Sequence, residues 1–243
     1  MYKITIFVTL FLFSTTIYGQ AGQFFDAPFG GGIGYVPAWY ISNVNPINSQ
    51  LSQIGMPELS TSGFYSSGIA GFLYLGFVKN LRLGGMGFGG SLSTSQTIGN
   101  ENREVVYNLS GGGVTIEYTL PFVKNIGVSV GAVIGAGSME LDLYRNSGNF
   151  SWEATWQEFS DPNVPSDAYY SKLKNHYWMF TPMLNLDYPV YRFVLIRLGV
   201  GYQLAFADEW KADNDQPVSN IPSDLNSNSF FVQSGIFIGF FSF

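Results

Sequence analysis

Ile126-Gly127-Val128-Ser129-Val130-Gly131-Ala132-Val133-Ile134-Gly135-Ala136-Gly137 decides the fold. Every even position is apolar, while the odd positions are glycine, serine and one valine. A period of two belongs to a β-strand whose two faces meet different surroundings. The same pattern recurs outward along the chain. From Phe193 to Phe206 the even face is Val194, Ile196, Leu198, Val200, Tyr202, Leu204 and Phe206, against Arg197, Gly199, Gly201 and Gln203. Trp178, Phe180, Leu184, Leu186 and Tyr188 oppose Asn185 and Asp187. Val114, Ile116, Tyr118 and Leu120 oppose Thr115, Glu117 and Thr119.

The large apolar residues share a face without charge. The strand charges Arg82, Glu117, Asp187 and Arg197 share the other with the glycines. A soluble eight-stranded, lipocalin-like barrel would bury the large residues and expose the charges. A transmembrane barrel does the reverse, apolar toward lipid and polar toward the lumen. Composition agrees. Only 12% of the 243 residues are charged, 46% are hydrophobic and 17% aromatic, with 29 glycines. An average soluble domain carries about 25% charge. With no cysteine, disulfide scaffolds, cysteine zinc sites and cysteine nucleophiles are excluded. The net charge of −6 offers no basic footprint for nucleic acid.

Residues 1–19 read as a secretory signal peptide: Lys3, an apolar core over Ile4–Phe13, and a small residue, Gly19, before the expected cut. Residues 20–243 form one barrel domain in this reading. Eight strands are expected at 29–40, 64–77, 81–93, 103–120, 125–143, 176–189, 192–206 and 229–243. Three turns are tight, and four loops are long, at 41–63, 94–102, 144–175 and 207–228. Short turns on one rim and long loops on the other describe an outer-membrane barrel with both mature ends in the periplasm. The apolar alternation changes phase near Gly111-Gly112-Gly113 and Gly137-Ser138, which predicts β-bulges there. The fold class is therefore all-β, an eight-stranded antiparallel up-and-down transmembrane β-barrel.

The last strand, Phe230 to Phe243, ends on an aromatic with Phe241 and Phe237 behind it. It resembles the C-terminal strand of Gram-negative outer-membrane proteins, and the whole chain resembles the small OmpA/OmpX-type barrels. That resemblance implies that Phe241 and Phe243 belong to the signal read by the barrel-assembly machinery. It also implies outer-membrane lipids and lipopolysaccharide as surroundings.

Eight strands enclose an interior that side chains fill, and a wide pore needs about 16. Glu117 and Arg197 are expected to meet inside at similar depth, with Asp187 and Arg82 lower and Gln203 also facing in. Unpaired charges in a dry lumen are costly, so pairing is expected. A salt-bridged plug is the favoured reading, and a narrow path for a small solute or ion is the alternative. His176 is the single histidine. Some barrels of this size act on lipid A, and one such family places a serine two residues after its histidine, where this chain has Trp178. The Gly-x-Ser-x-Gly string Gly127-Val128-Ser129-Val130-Gly131 lies within an alternating strand and not at a strand-to-helix elbow, so no catalytic residue is assigned.

Trp152, Trp156, Tyr169 and Tyr170 in the 144–175 loop are candidate contacts for an extracellular protein partner. Phe150, Trp152, Ala154 and Trp156 alternate as an upward strand extension would. Asp208, Glu209, Asp213, Asp215 and Asp224 make the 207–228 loop acidic. It lacks the glycine and glutamate of a calcium loop, so no metal and no cofactor are expected. Functionally the sequence points to a non-enzymatic scaffold, or to a component of a larger secretion or surface-assembly complex.

Overall fold

The computed structural model describes residues 30–121, 123, 126–147, 151–161 and 168–241. The expected signal peptide and Phe243 lie outside the described residues.

Eight antiparallel strands close into an up-and-down barrel. The first, β1, runs in two pieces, Gly30–Tyr35 and Ala38–Ser42, because Pro37 has no N–H to give a ladder. Then come β2 Phe64–Tyr74, β3 Leu81–Ile98, β4 Glu101–Thr119, β5 Gly127–Asn146, β6 Ala168–Tyr191, β7 Val194–Ala207 and β8 Ser229–Phe241. Each pairs with its neighbour, and β1 closes the ring against β8. Following hydrogen-bonded rows from Gly31 around the ring returns to β1 at Ile41, ten residues higher. This stagger is the shear that a closed, tilted barrel requires.

The outward face carries an uninterrupted apolar belt. Ile33, Ile69, Leu73, Val114, Val130, Ile134, Leu198, Ile236 and Ile238 are all exposed on it. Trp39, Tyr65, Trp178 and Phe206 mark its upper rim, and Tyr118, Tyr188, Tyr191 and Phe240 its lower rim. Exposing so many large apolar side chains to water would be ruinous for solubility, whereas hydrocarbon accepts them at no cost.

The ladder runs without a shift through Gly111–Gly113 and Gly137–Ser138, so the bulges expected there do not exist. The single irregularity of the β6–β7 ladder falls between Pro189 and Tyr191. The phase change has another cause. Above the belt the strands continue into a region where apolar residues turn inward, with Tyr107, Leu109, Met139 and Leu141 buried, while Asn108, Glu140 and Asp142 face out. The face assignment of each residue never slips; the environment inverts.

Strand lengths differ from expectation for the same reason. β3 and β4 meet at a tight turn where Gly99 has φ 64°, so the expected 94–102 loop is a hairpin tip. β6 begins at Ala168 rather than 176. Between β5 and β6, Trp152–Ser160 forms a helix, α2, not a strand extension. The Ser151 hydroxyl caps it by accepting from the Ala154 N–H at 3.1 Å. In the first loop, Asn45–Gln53 forms the helix α1, with Pro46 in its first turn.

Candidate functional site

The interior is built in layers, from the short turns upward. Asn80 adopts φ 65° in the turn before β3, the left-handed geometry that asparagine tolerates. Two residues later Arg82 points inward, in register with Glu117 on β4. Asp187 on β6 stands in register with Arg197 on β7. The four close into a ring: Arg82–Glu117 2.8 Å, Arg82–Asp187 2.6 Å, Arg197–Asp187 2.7 Å and Arg197–Glu117 3.0 Å. None is more than 3% exposed.

The ring brings the expected pair Glu117 and Arg197 together with Asp187 and Arg82. The ring has no net charge, and each carboxylate lies between two guanidinium groups. Ser129 donates a further hydrogen bond to Glu117 Oε2 at 3.2 Å. The Arg197 guanidinium lies 4.8 Å from the Phe237 ring centre, and Arg82 lies 4.8 Å from that of Phe72. With both acids doubly paired, the cluster has neither a free base nor a nucleophile. It acts as a bolt across the lumen. The cavity beside it, between Phe72, Met86, Thr115 and Gln233, measures about 10 Å³, room for about one water.

Above the bolt lies an amide layer. Gln233 Nε2 donates to Asn185 Oδ1 at 2.8 Å. A Cβ on Gly199 would come within 2.2 Å of that oxygen, so glycine makes the room. Next, Tyr40 is stacked between Phe88 and Phe231, with ring centres 4.9 and 5.0 Å away. A Cβ on Gly201 would lie 2.4 Å from Phe231 Cζ. Gln203 belongs to a separate, higher contact, donating to Ser227 O at 2.7 Å and to Tyr177 Oη at 3.3 Å. It does not join the ionic ring.

The top is shut by the loops. Val44, Ile47 and Leu51 of the α1 segment, with Met56 and Leu59, are buried against Tyr107, Leu109 and Met139. Trp210, Val218, Ile221 and Leu225 of the 207–228 segment complete that core. Asn48 ties the segment down through two bonds with Leu59, at 2.9 and 2.8 Å. Sequence reading missed this lid, and it missed the Phe88–Tyr40–Phe231 stack. The one available signal was parity: Phe231 shares its face with Gln233 and Gly235.

Outside, β3–β6 rise as a wall above the belt. The stretch Ser91–Ile98 pairs with β4 alone, since pairing to β2 ends at Ser66–Gly90. On the outer face Lys172 reaches Glu140 at 2.8 Å, and the Tyr170 hydroxyl donates to Asp142 at 3.0 Å. Tyr170 stacks on Tyr144 at 4.9 Å, and Arg145 lies 5.8 Å from the Tyr169 ring centre. Trp152 and Trp156 meet edge to face at 5.6 Å on α2, which buries none of its residues. Tyr169 and Tyr170 thus belong to the wall, and the tryptophans to the helix. Phe241 pairs through its backbone with Gly30.

His176 points outward opposite Ser138, whose hydroxyl bonds Ser110 instead at 3.2 Å. No group of three or more potential metal ligands exists among the described residues. Asp213 is engaged structurally, accepting from the Lys172 N–H at 3.1 Å and the Ser171 hydroxyl at 3.3 Å.

No family model and no curated protein sequence matches the chain. Among solved structures it is similar to Ail, the attachment invasion locus protein of Yersinia pestis, solved with the heparin analogue sucrose octasulfate. That match has 9% identity and a TM-score of 0.42, covering 88% of this chain and 100% of that one. It is also similar to a major outer membrane protein of Thermus thermophilus, with 7% identity, TM-score 0.43, and 86% and 99% coverage. OprG of Pseudomonas aeruginosa matches at 11% identity and TM-score 0.37, over 88% and 93%.

Proposed function

We propose that this chain is an integral outer-membrane protein that works as a non-enzymatic scaffold, presenting an extracellular surface to a partner. The observation that carries the reading is a barrel shut at three levels: the ionic ring, the aromatic stack and the loop lid. A chain that invests its interior in closure and its loops in an ordered superstructure is built to hold a surface, not to conduct. The apolar belt supports the membrane setting, with lipid and lipopolysaccharide around it and the assembly machinery as its partner in biogenesis. The short turns then face the periplasm. The partner surface in this reading is α2 with Trp152 and Trp156, beside Tyr169 and Tyr170 on the wall.

Planar-bilayer recording of the purified barrel tests the reading against the channel alternative. Silence is expected from the native protein. A steady conductance, raised or abolished by Glu117→Ala with Arg197→Ala, would establish transport and remove the scaffold reading. Unchanged lipid A after incubation with lipopolysaccharide is the matching expectation for a protein without catalysis.

A further inference from the structure

A recess of about 450 Å³ opens outside the barrel at the upper rim of the belt, between β1, β7 and β8 and the two lid segments. Its floor is a single hydrogen-bonded row: Tyr202, Phe230 and Ile41 stand side by side in register, all outward and all partly exposed. Apart from Val44, its upper wall is made of neutral amides and hydroxyls, with no charged side chain among the lining residues.

Those amides are held in place before any ligand arrives. Asn43 Nδ2 donates to Asp224 O at 3.2 Å, and its Oδ1 accepts from the Asn45 N–H at 3.2 Å. Asn228 Oδ1 accepts from the Ala205 N–H at 2.8 Å, and its own N–H is held by Asn226 Oδ1 at 3.0 Å. Four residues that line the recess keep a polar side-chain group with no hydrogen-bond partner among the described residues: Asn228 at Nδ2, Asn45 at its amide, and Thr61 and Tyr202 at their hydroxyls. Pre-set neutral donors and acceptors over aromatic rings match a pyranose, whose C–H face packs on a ring while its hydroxyls bond amides. The volume lies in the range of small-molecule sites.

We propose that this recess binds an uncharged sugar ring, presented from the outer leaflet as a glycolipid headgroup. The floor belongs to the apolar belt and the wall to the polar region above it, so a ligand with its tail in the membrane meets both at once. The leaflet as source rests on the membrane reading; the sugar chemistry does not.

The test uses the full barrel in phosphatidylcholine nanodiscs, with isoleucine methyls labelled and the Ile41 methyl resonance followed. The probes are octyl β-D-glucoside, anchored by its tail, methyl β-D-glucoside, free in solution, and glucose 6-phosphate as a charged control. Octyl glucoside is expected to shift Ile41 at lower concentration than methyl glucoside, with the phosphate leaving it in place. Tyr202→Ala is expected to abolish the shift, and Asn45→Ala with Thr61→Ala to weaken binding at least threefold, with heat-modifiable migration unchanged. A silent Ile41 with both glucosides, or identical titrations in the variants, overturns the site. A response to methyl glucoside alone overturns the leaflet source. Failure of the chain to enter discs would instead count against the membrane reading, and the methyl glucoside titration in buffer would still decide the sugar site.

Discussion

Arg197 on β7 reaches across the lumen to Glu117 on β4, three strands away, with Nη1–Oε1 at 3.0 Å and Nη2–Oε2 at 3.2 Å. The contact converts two pairs of neighbouring strands, each with its own in-register partners, into one closed ring spanning the barrel.

Breaking that ring by one member strands a buried charge. Glu117→Ala leaves two guanidinium groups facing one carboxylate, and losing one partner of a buried pair costs about 3–5 kcal/mol. The expected result is an early urea midpoint for unfolding of the detergent-solubilised barrel. Glu117→Ala combined with Arg197→Ala is expected to cost less than the two single changes added, because each removes the other's orphan.

Tyr40 fills the middle of the lumen between Phe88 and Phe231 and is 2% exposed. Tyr40→Ala is expected to lose about 3–5 kcal/mol by the cavity it leaves. It should nevertheless stay silent in planar bilayers, because the ionic ring closes the barrel at another level. Conductance from Tyr40→Ala alone would show that the ring does not seal.

The outer wall has its own pH response. The Lys172 hydrogen bond holds the Glu140 carboxyl below its usual range against partial burial, and the same contact raises Lys172. A lowered carboxylate contributes stability above its unfolded value and loses it as pH falls through the lower folded value. A raised lysine contributes below its unfolded value and loses it as pH rises through the higher folded one. The pair's contribution is therefore flat from about pH 5 to pH 10 and falls away on both sides. Both groups are partly exposed, so the effect is small and fades with salt. Lys172→Met is expected to reduce the acid-side slope in thermal unfolding scans, with the remainder held by Lys174, 3.6 Å from Glu140.

Tyr170 titrates late. Burial of its hydroxyl and its hydrogen bond to Asp142 push it up to about 12. Between the ordinary tyrosine value of about 10 and that higher one, the unfolded chain gains by ionising first, so this contribution to stability declines over that window. Ultraviolet titration of Tyr170→Phe against the native protein is expected to show the missing component near the upper value.

Trp152 and Trp156 are 73% and 53% exposed, while Trp210 is 8% exposed in the lid. Acrylamide is expected to quench the α2 tryptophans strongly and Trp210 weakly. Trp156→Ala should change stability by no more than about 0.5 kcal/mol, as for a surface position. Trp210→Ala should destabilise the lid and the upper core.

The legible part of this protein was the part set by local alternation. Each strand's in–out parity was readable because successive side chains point to opposite faces, and a residue such as Glu117 or Arg197 keeps its face whatever surrounds it. No bulge exists at Gly111–Gly113 because the phase change in hydrophobicity there reflects a change of surroundings and not of backbone. One dimension of sequence does not distinguish a strand that slips from a strand that leaves hydrocarbon for water. The helix at Trp152–Ser160 differs from the expected strand extension because Trp152, Ala154 and Trp156 also satisfy a period of two; Ser151, whose hydroxyl accepts from the Ala154 N–H, is the signal that separates the two.

The sequence alone determined that the chain is an eight-stranded barrel, which faces carry glycine and charge, and which carry large apolar residues. These follow from geometry repeated every two residues. Only the tertiary structure decided that Arg82, Glu117, Asp187 and Arg197 close into one ring, that α1 and Trp210 close the mouth, and that Tyr202, Phe230 and Ile41 line one recess. Those relationships depend on strand tilt and shear, which are properties of the closed ring as a whole and are written in no single strand.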